Sequence, residues 1–137
     1  MGQFLEFIAN HWMLASLWVV LVLALVLYQQ ARAGKALSPH QVTLLVNRSN
    51  AAVLDVRDKK DFDRGHIVDA VNIPLAKLSE RLPELEKKKE SPLIVVCEMG
   101  QHSGAAVKTL QVAGFTQVSR LSGGLAEWRA QSLPLVT

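Results

Sequence analysis

The sequence predicts an α/β domain in which a parallel β-sheet is covered by helices on both faces, preceded by one apolar helix. Short apolar runs rich in Val, Leu and Ile, typical of strands buried on both faces of a parallel sheet, alternate with segments of helical periodicity. An uncharged apolar segment occupies residues 12–28. We therefore divide the 137 residues into an N-terminal segment (1–30), a linker (31–36) and one domain (37–137).

The N-terminal segment predicts a transmembrane helix, which makes the lipid bilayer a partner. From Trp12 to Tyr28 there is no charge and no helix breaker. This stretch would extend about 26 Å as a helix, and a hydrocarbon core is about 30 Å thick, but Phe4 and Phe7 lengthen the apolar region. Every Lys and Arg follows Tyr28, so the positive-inside rule predicts a single pass with the C-terminal domain in the cytoplasm.

A cleaved signal peptide is the alternative, because Ala31-Arg32-Ala33 resembles a small-residue processing site. A signal peptide begins with a basic region and has a shorter apolar core, and this sequence has neither. The anchor is therefore the favoured interpretation.

Charge and cysteine content exclude other classes. Fifteen Lys and Arg residues against twelve acids give a net charge of +3, and Lys87 to Lys89 is the only tight basic run, which reads as a solvated helix end rather than a nucleic-acid site. Cys97 is the only cysteine, so no intramolecular disulfide forms and a reduced cytosol fits. The histidines are scattered, which argues against a metal site.

The domain reads as alternating helices and strands. Ser38 followed by Pro39 is a helix N-cap with proline at the first helical position, and it starts a helix that runs to Arg48. Predicted strands lie at Ala51–Val56, Ala70–Ile73, Leu93–Cys97 and Val118–Leu121, and further helices at 61–64, 75–88 (interrupted at Pro83), 103–113 and 125–131.

The loop after the third of these strands is the candidate site. The strand ends at Cys97, and the chain then turns into a helix that begins near Ser103. Backbone N–H groups in such a loop, with the positive end of the helix dipole behind them, form an anion cradle that lowers a thiol pKa and holds a thiolate or a persulfide. The alternative is an inert buried cysteine. The predicted anion-binding loop comprises Glu98, Met99, Gly100, Gln101, His102 and Ser103.

The domain resembles the rhodanese (sulfurtransferase) family along almost its whole length. Its motifs occur here in the family's order around the Cys97 loop, and Leu133-Pro134 closes the domain as in that family. The matching segments are Leu-Asp-Val-Arg at 54–57, Phe-x-x-Gly-His-Ile at 62–67, Ala-x-Asn-Ile-Pro at 70–74, Gly-Phe-x-x-Val at 114–118 and Gly-Gly-x-x-x-Trp at 123–128.

The resemblance implies a five-stranded parallel sheet and a catalytic cysteine at Cys97. That cysteine would accept sulfane sulfur from a donor as a persulfide and pass it to a thiol acceptor, with no metal or organic cofactor. The combination of one membrane anchor and one domain of this type is similar to the architecture of small bacterial proteins of the inner membrane. A membrane or cytosolic protein partner is compatible with this architecture.

The loop departs from the family pattern at two positions. The family commonly has arginines where this chain has Glu98 and His102, and basic side chains help to hold an anionic donor such as thiosulfate. We expect Glu98 to place a negative charge beside the thiolate and to disfavour thiosulfate. Asp55 and Arg57 are expected to form a supporting ion pair at the same edge of the sheet, and His66 to hydrogen-bond locally.

Two other functions compete with sulfur transfer. A membrane-anchored interaction module would keep the fold and use its surface or loop to bind a partner, and the altered loop leaves room for it. A cysteine phosphatase of related fold would need an arginine five residues after the cysteine to clamp phosphate, and Ser103 stands there.

Overall fold

The computed structural model describes residues 1–32 and 34–137, which form two units, Met1–Ala31 and Arg32–Thr137. Ala33 belongs to the predicted linker and to the alternative processing site, and it lies outside the described residues.

The N-terminal unit is helical and apolar. Helix α1 spans Gly2–Asn10, and α2 spans Trp12–Arg32. The 20 residues Trp12–Ala31 are long and apolar enough to cross a membrane, a criterion that a signal sequence also meets. The apolar residues before Trp12, expected to extend the span, lie on the separate helix α1 and are exposed.

The second unit is built on one parallel sheet, which confirms the predicted fold class. Within the described residues the sheet has five strands, in the order β1-β5-β4-β2-β3. The four strands predicted from the apolar runs are all present, three of them shorter than predicted. The bounds are β1 Lys35–Leu37, β2 Ala52–Asp55, β3 Val71–Asn72, β4 Leu93–Val96 and β5 Val118–Leu121.

Strand β1 corrects the predicted linker at 31–36. Lys35 and Leu37 pair in parallel with Ser119 and Leu121 of β5, so the chain enters the sheet two residues before the predicted domain boundary. Of the three strand residues only Leu37 is buried. Three residues with one buried side chain carry no detectable period, so tertiary pairing alone defines this edge strand.

The helices correspond to the predicted segments, with one correction. Ser38 caps α3 by a capping box with Gln41, as its position before Pro39 indicates. The region predicted as an α-helix interrupted at Pro83 forms two 3₁₀ helices, Leu75–Lys77 and Leu82–Lys88, which is the usual form of such short pieces. The α-helices of this unit are α3 Pro39–Ser49, α4 Lys59–Arg64, α5 Ser103–Val112 and α6 Gly124–Ala130.

Apolar side chains fill both faces of the sheet. Leu54 and Val95 pack with Leu110 of α5 on one face, and Ile94 packs with Val42 of α3 and Trp128 of α6 on the other. Both faces are thus covered, as the continuous apolar runs predict. All strands of a parallel sheet end on the same side of the sheet, which we call the carboxyl edge. The C-terminal ends of β2 and β4 therefore bring Asp55 and Cys97 to this side.

Candidate active site

Cys97 lies directly after β4, and the following loop folds over its sulfur. The residue is 2% exposed. The Gly100 N–H donates a hydrogen bond to Sγ at 2.9 Å, and the Ser103 hydroxyl donates to the Gly100 carbonyl at 3.1 Å. Gly100 has φ +84°, a conformation that favours glycine, so the turn that directs its amide at the sulfur depends on this residue.

The loop also presents unpaired backbone donors. Helix α5 begins at Ser103, and the amides of Gln101, His102 and Ser103 donate to no acceptor in the described part of the chain. Amides at the start of a helix attract negative charge. The arrangement therefore suits an anion on or next to the Cys97 sulfur.

Helix α6 holds the cysteine loop from the other side. The Leu125 N–H donates to the Cys97 carbonyl, and the Ala126 N–H to the Glu98 carbonyl, both at 2.9 Å. This approach requires Gly124: its φ is +61°, and a Cβ there would lie 2.4 Å from the Cys97 oxygen. The motif at 123–128 marked these glycines by resemblance only, and the structure supplies the reason for Gly124.

Arg57 connects the strand ends to the loop. Its buried guanidinium donates to Asp55 at 2.7 to 3.1 Å, to the Gly65 carbonyl at 2.8 Å and to Glu98 at 3.1 Å, so the expected Asp55–Arg57 ion pair is present. Burial by itself would lower the Arg57 pKa, but hydrogen bonds and charge attraction from Asp55 and Glu98 outweigh it and raise that pKa. Arg57 is a permanent cation with its donors engaged.

Glu98 pairs with two arginines, which the sequence did not predict. Its carboxylate accepts hydrogen bonds from Arg57 and from Arg129 of α6. Burial raises the Glu98 pKa, but hydrogen bonds and charge attraction from Arg129 and Arg57 outweigh it and hold that pKa below its usual range. Glu98 therefore carries the expected negative charge beside the cysteine, and the two arginines compensate it. Arg129 lies 31 positions away, and no sequence pattern pointed to it.

An open cleft of about 540 Å³ reaches Cys97. From the predicted loop, Glu98 and His102 line this cleft, whereas Met99, Gly100, Gln101 and Ser103 do not. Asp58 and Asp61 also line this cleft and were not identified from the sequence. The complete lining is Val56, Arg57, Asp58, Asp61, Leu75, Ala76, Cys97, Glu98 and His102.

His66 has a structural position outside this cleft. Its ring stacks on Phe62 with centroids 3.7 Å apart, and its Nδ1 lies 2.8 Å from the Phe62 carbonyl. This is the local hydrogen bond that its motif predicted.

Comparison with known proteins decides the family. Residues 38–131 match the family described as the Rhodanese-like domain. The chain belongs to the rhodanese family. A solved structure of a rhodanese-related protein from Thermoplasma volcanium superimposes with a TM-score of 0.67 at 27% identity, over 74% of this chain and 97% of the other.

Two relatives show how far the rhodanese similarity extends. The Escherichia coli K12 protein YibN is 33% identical over 99% of this chain and 98% of its own length, a range that includes the N-terminal segment. A protein named thiosulfate sulfurtransferase GlpE, from Coxiella burnetii, is 32% identical over 70% of this chain and 88% of its own length. The rhodanese domain therefore has sulfurtransferases among its homologues.

We predict that Glu98→Gln lowers the stability of the rhodanese domain at neutral pH and not in acid. Because the Glu98 pKa is depressed in the folded state, its stabilising effect is complete above the unfolded value and is lost as the pH falls through the folded value. The cost should be about 1 kcal/mol at pH 7 and should shrink below about pH 4. Urea unfolding of both proteins across this pH range measures it.

Glu80→Gln is the control, because Glu80 is exposed and forms no ion pair among the described residues. Its difference from the unsubstituted protein should stay small at every pH. A Glu98→Gln cost that does not change between pH 7 and pH 3 would show that the two arginines do not stabilise the ionised carboxylate.

We predict that Gly124→Ala destabilises the rhodanese domain and displaces the cysteine loop. The added Cβ meets the Cys97 and Glu98 carbonyls, and the positive φ costs about 1–3 kcal/mol by itself. Gly104→Ala is the matched control: no atom lies within 4 Å of a Cβ there, and its position in α5 makes alanine neutral or stabilising by up to about 1 kcal/mol. Thermal unfolding of both variants compares them, and equal midpoints would contradict the prediction.

Proposed function

We propose that this protein is a membrane-anchored sulfurtransferase that carries sulfane sulfur on Cys97 as a persulfide. The observation that supports this best is the cysteine loop: the Gly100 amide donates to Sγ, and three further amides at the start of α5 are unpaired within the described residues. An outer sulfur with negative charge would receive these hydrogen bonds. The neighbouring cleft gives a donor a route to the sulfur.

The proposed reaction has two steps. The Cys97 thiolate attacks the outer sulfur of a donor such as thiosulfate, a Cys97 S–S bond forms, the S–S bond of the donor breaks, and sulfite leaves with the electron pair. An acceptor thiolate then attacks the outer sulfur, and Cys97 is released as the thiolate. The name of the GlpE relative supports thiosulfate as one donor class. No net oxidation occurs, and the residues of this chain need no metal for either step.

Membrane anchoring is the second part of the proposal. Residues Trp12–Ala31 meet the length and composition of a span, and the basic residues all follow it. We therefore propose a single-pass protein of the bacterial cytoplasmic membrane with the rhodanese domain in the cytoplasm. There the single cysteine stays reduced and meets thiol acceptors.

An interaction module is the second candidate function. One observation favours it: Cys97 is 2% exposed, and free buried cysteines are often inert. In that case the cleft would bind a partner without sulfur chemistry. Adduct formation separates the two functions.

We predict that the purified protein takes up one sulfur atom on Cys97 when it is exposed to thiosulfate or polysulfide. Cys97→Ser should lose this adduct while the domain stays folded, because the serine hydroxyl can accept the hydrogen bond that the Gly100 amide donates to Sγ. Intact-protein mass spectrometry before and after cyanide treatment measures it, since cyanide removes sulfane sulfur. Absence of the adduct with both donors would support the interaction module instead.

The charge of the cleft suggests which acceptors react fastest. Glu98 is matched by two arginines and Asp55 by Arg57, whereas Asp58 forms no ion pair in the described part of the chain. Asp61 has only a long contact of 3.9 Å with Arg64. The remaining negative charge near Cys97 therefore comes from Asp58 and Asp61, and it should favour cationic over anionic acceptor thiols.

We predict that Asp58→Asn with Asp61→Asn reduces this charge preference. With cysteamine, 2-mercaptoethanol and 3-mercaptopropionate as acceptors, the double variant should slow the cationic thiol and speed the anionic one, each by severalfold, up to about tenfold at low salt. Variant-to-unsubstituted rate ratios cancel the intrinsic reactivities of the thiols. Asp63→Asn with Asp69→Asn is the matched control, because it removes the same number of charges and neither residue lines the cleft. Equal ratios for all three thiols would refute a role for these carboxylates.

We predict that a reporter fused to the C-terminus is active in the cytoplasm of intact cells. The basic residues that follow Tyr28 resist translocation. A periplasmic reporter, or a mature chain that begins after Ala33, would overturn the anchor and support the signal-peptide alternative.

A further inference from the structure

The edge of the sheet opposite Cys97 collects basic side chains from separate elements. We call this the amino edge and define it by Lys35, Arg48, Lys87, Lys88 and Val112. Strand β1 begins at Lys35, α3 ends next to Arg48, and the second 3₁₀ helix ends at Lys88. Because these helices lead back to the beginnings of parallel strands, their last turns lie at the edge where the strands start.

Side-chain contacts show that these ends are neighbours. The Gln117 side chain donates to the Glu90 carbonyl at 2.8 Å, and the Lys89 ammonium lies 5.9 Å from the centroid of the Phe115 ring. Lys88 lines a hollow together with Asn50, beside the C-terminus of α3. The end of the 3₁₀ helix therefore joins the ends of α3 and α5 at one surface.

The basic residues of the amino edge are mostly unpaired. Lys35, Arg48, Lys87 and Lys88 form no ion pair among the described residues, and only Lys89 is paired, to Glu86 at 3.2 Å. Asp69 and Glu90 are the other acids nearby. Val112, the last residue of α5, is 82% exposed. An excess of cations at the same edge as an exposed apolar side chain matches an anionic lipid surface.

The path of the chain favours lipid over other anionic partners. The first strand begins at this edge, and three residues separate Lys35 from Ala31, the end of the candidate span. We propose that the amino edge binds anionic phospholipid headgroups at the membrane surface, an inference that rests on the proposed anchor. The Cys97 cleft lies at the opposite edge, so lipid contact leaves it open to soluble donors and acceptors.

Site-specific quenching in vesicles tests the proposal with the full chain. An environment-sensitive fluorophore is attached at Val112→Cys in a Cys97→Ser background, and vesicles contain headgroup nitroxide lipids with or without about one-third phosphatidylglycerol. A second protein carries the fluorophore at Met99→Cys, since Met99 is exposed in the cysteine loop. We expect stronger quenching at Val112 than at Met99, only in anionic vesicles and reduced by salt.

Charge reversal identifies the residues responsible. Arg48→Glu with Lys87→Glu should weaken quenching at Val112 by about fivefold or more, since each basic residue contributes about that factor to binding an anionic surface. Lys59→Glu with Lys60→Glu, an equal change of net charge on exposed residues of α4, should leave it unchanged. Equal loss in both double variants would indicate a net-charge effect and overturn the amino edge as the binding surface.

Flotation of the same samples separates this proposal from the anchor. If the chain floats with every vesicle but Val112 and Met99 are quenched alike, or if phosphatidylglycerol makes no difference, the amino-edge proposal is overturned and the anchor stands. If the chain floats only with anionic vesicles, the membrane span is overturned, and with it the argument from the path of the chain that assigns this edge to lipid.

Discussion

The buried guanidinium of Arg57 is the constraint on which the carboxyl edge depends. A buried cation is tolerated only when its donors are satisfied, and Arg57 meets this requirement by bonding to Asp55, the Gly65 carbonyl and Glu98. These partners belong to three separate segments of the chain. Through Glu98 the network continues to Arg129 on α6, so the end of β2, the cysteine loop and the last helix are held in one arrangement.

Backbone amides supply the hydrogen bonds to the Cys97 sulfur and to the main chain around it in the described part of the domain. The Gly100 amide bonds to Sγ, and the amides of α6 hold the Cys97 and Glu98 carbonyls because Gly124 has no side chain. This explains how the loop can lack the two arginines that are common in the family. Glu98 stands at one of these two positions, and its charge is compensated because it pairs with Arg57 and Arg129. Backbone N–H groups arranged in this way can bind a persulfide whatever side chains surround it.

The two ends of the strands in the rhodanese domain carry side chains of opposite charge. The cleft beside Cys97 is walled by Asp58 and Asp61 at the carboxyl edge, whereas Arg48 and Lys87 project from the amino edge. In a parallel sheet all strands point the same way, so the carboxyl edge and the amino edge lie at opposite ends of the domain. This separation is compatible with a protein that performs soluble thiol chemistry at one edge while the other edge, where the chain enters, meets a membrane.

Local pattern was sufficient to predict most of the fold and to single out Cys97 as the candidate reactive residue. Continuous apolar runs identified β2 and β4, two shorter segments identified β3 and β5, and Ser38-Pro39 identified the start of α3. The strand-to-helix turn identified Cys97 as a candidate, because each of these signals lies within a few neighbouring residues. Other features depended on tertiary contacts. Strand β1 has too few residues to show a period, and the pairing of Glu98 with Arg129 joins positions 31 apart. Asp61 of α4 lines the same cleft as Cys97, 36 positions later, only in the folded domain. The sequence determined which groups are available, and only packing decided which charges cancel and which remain.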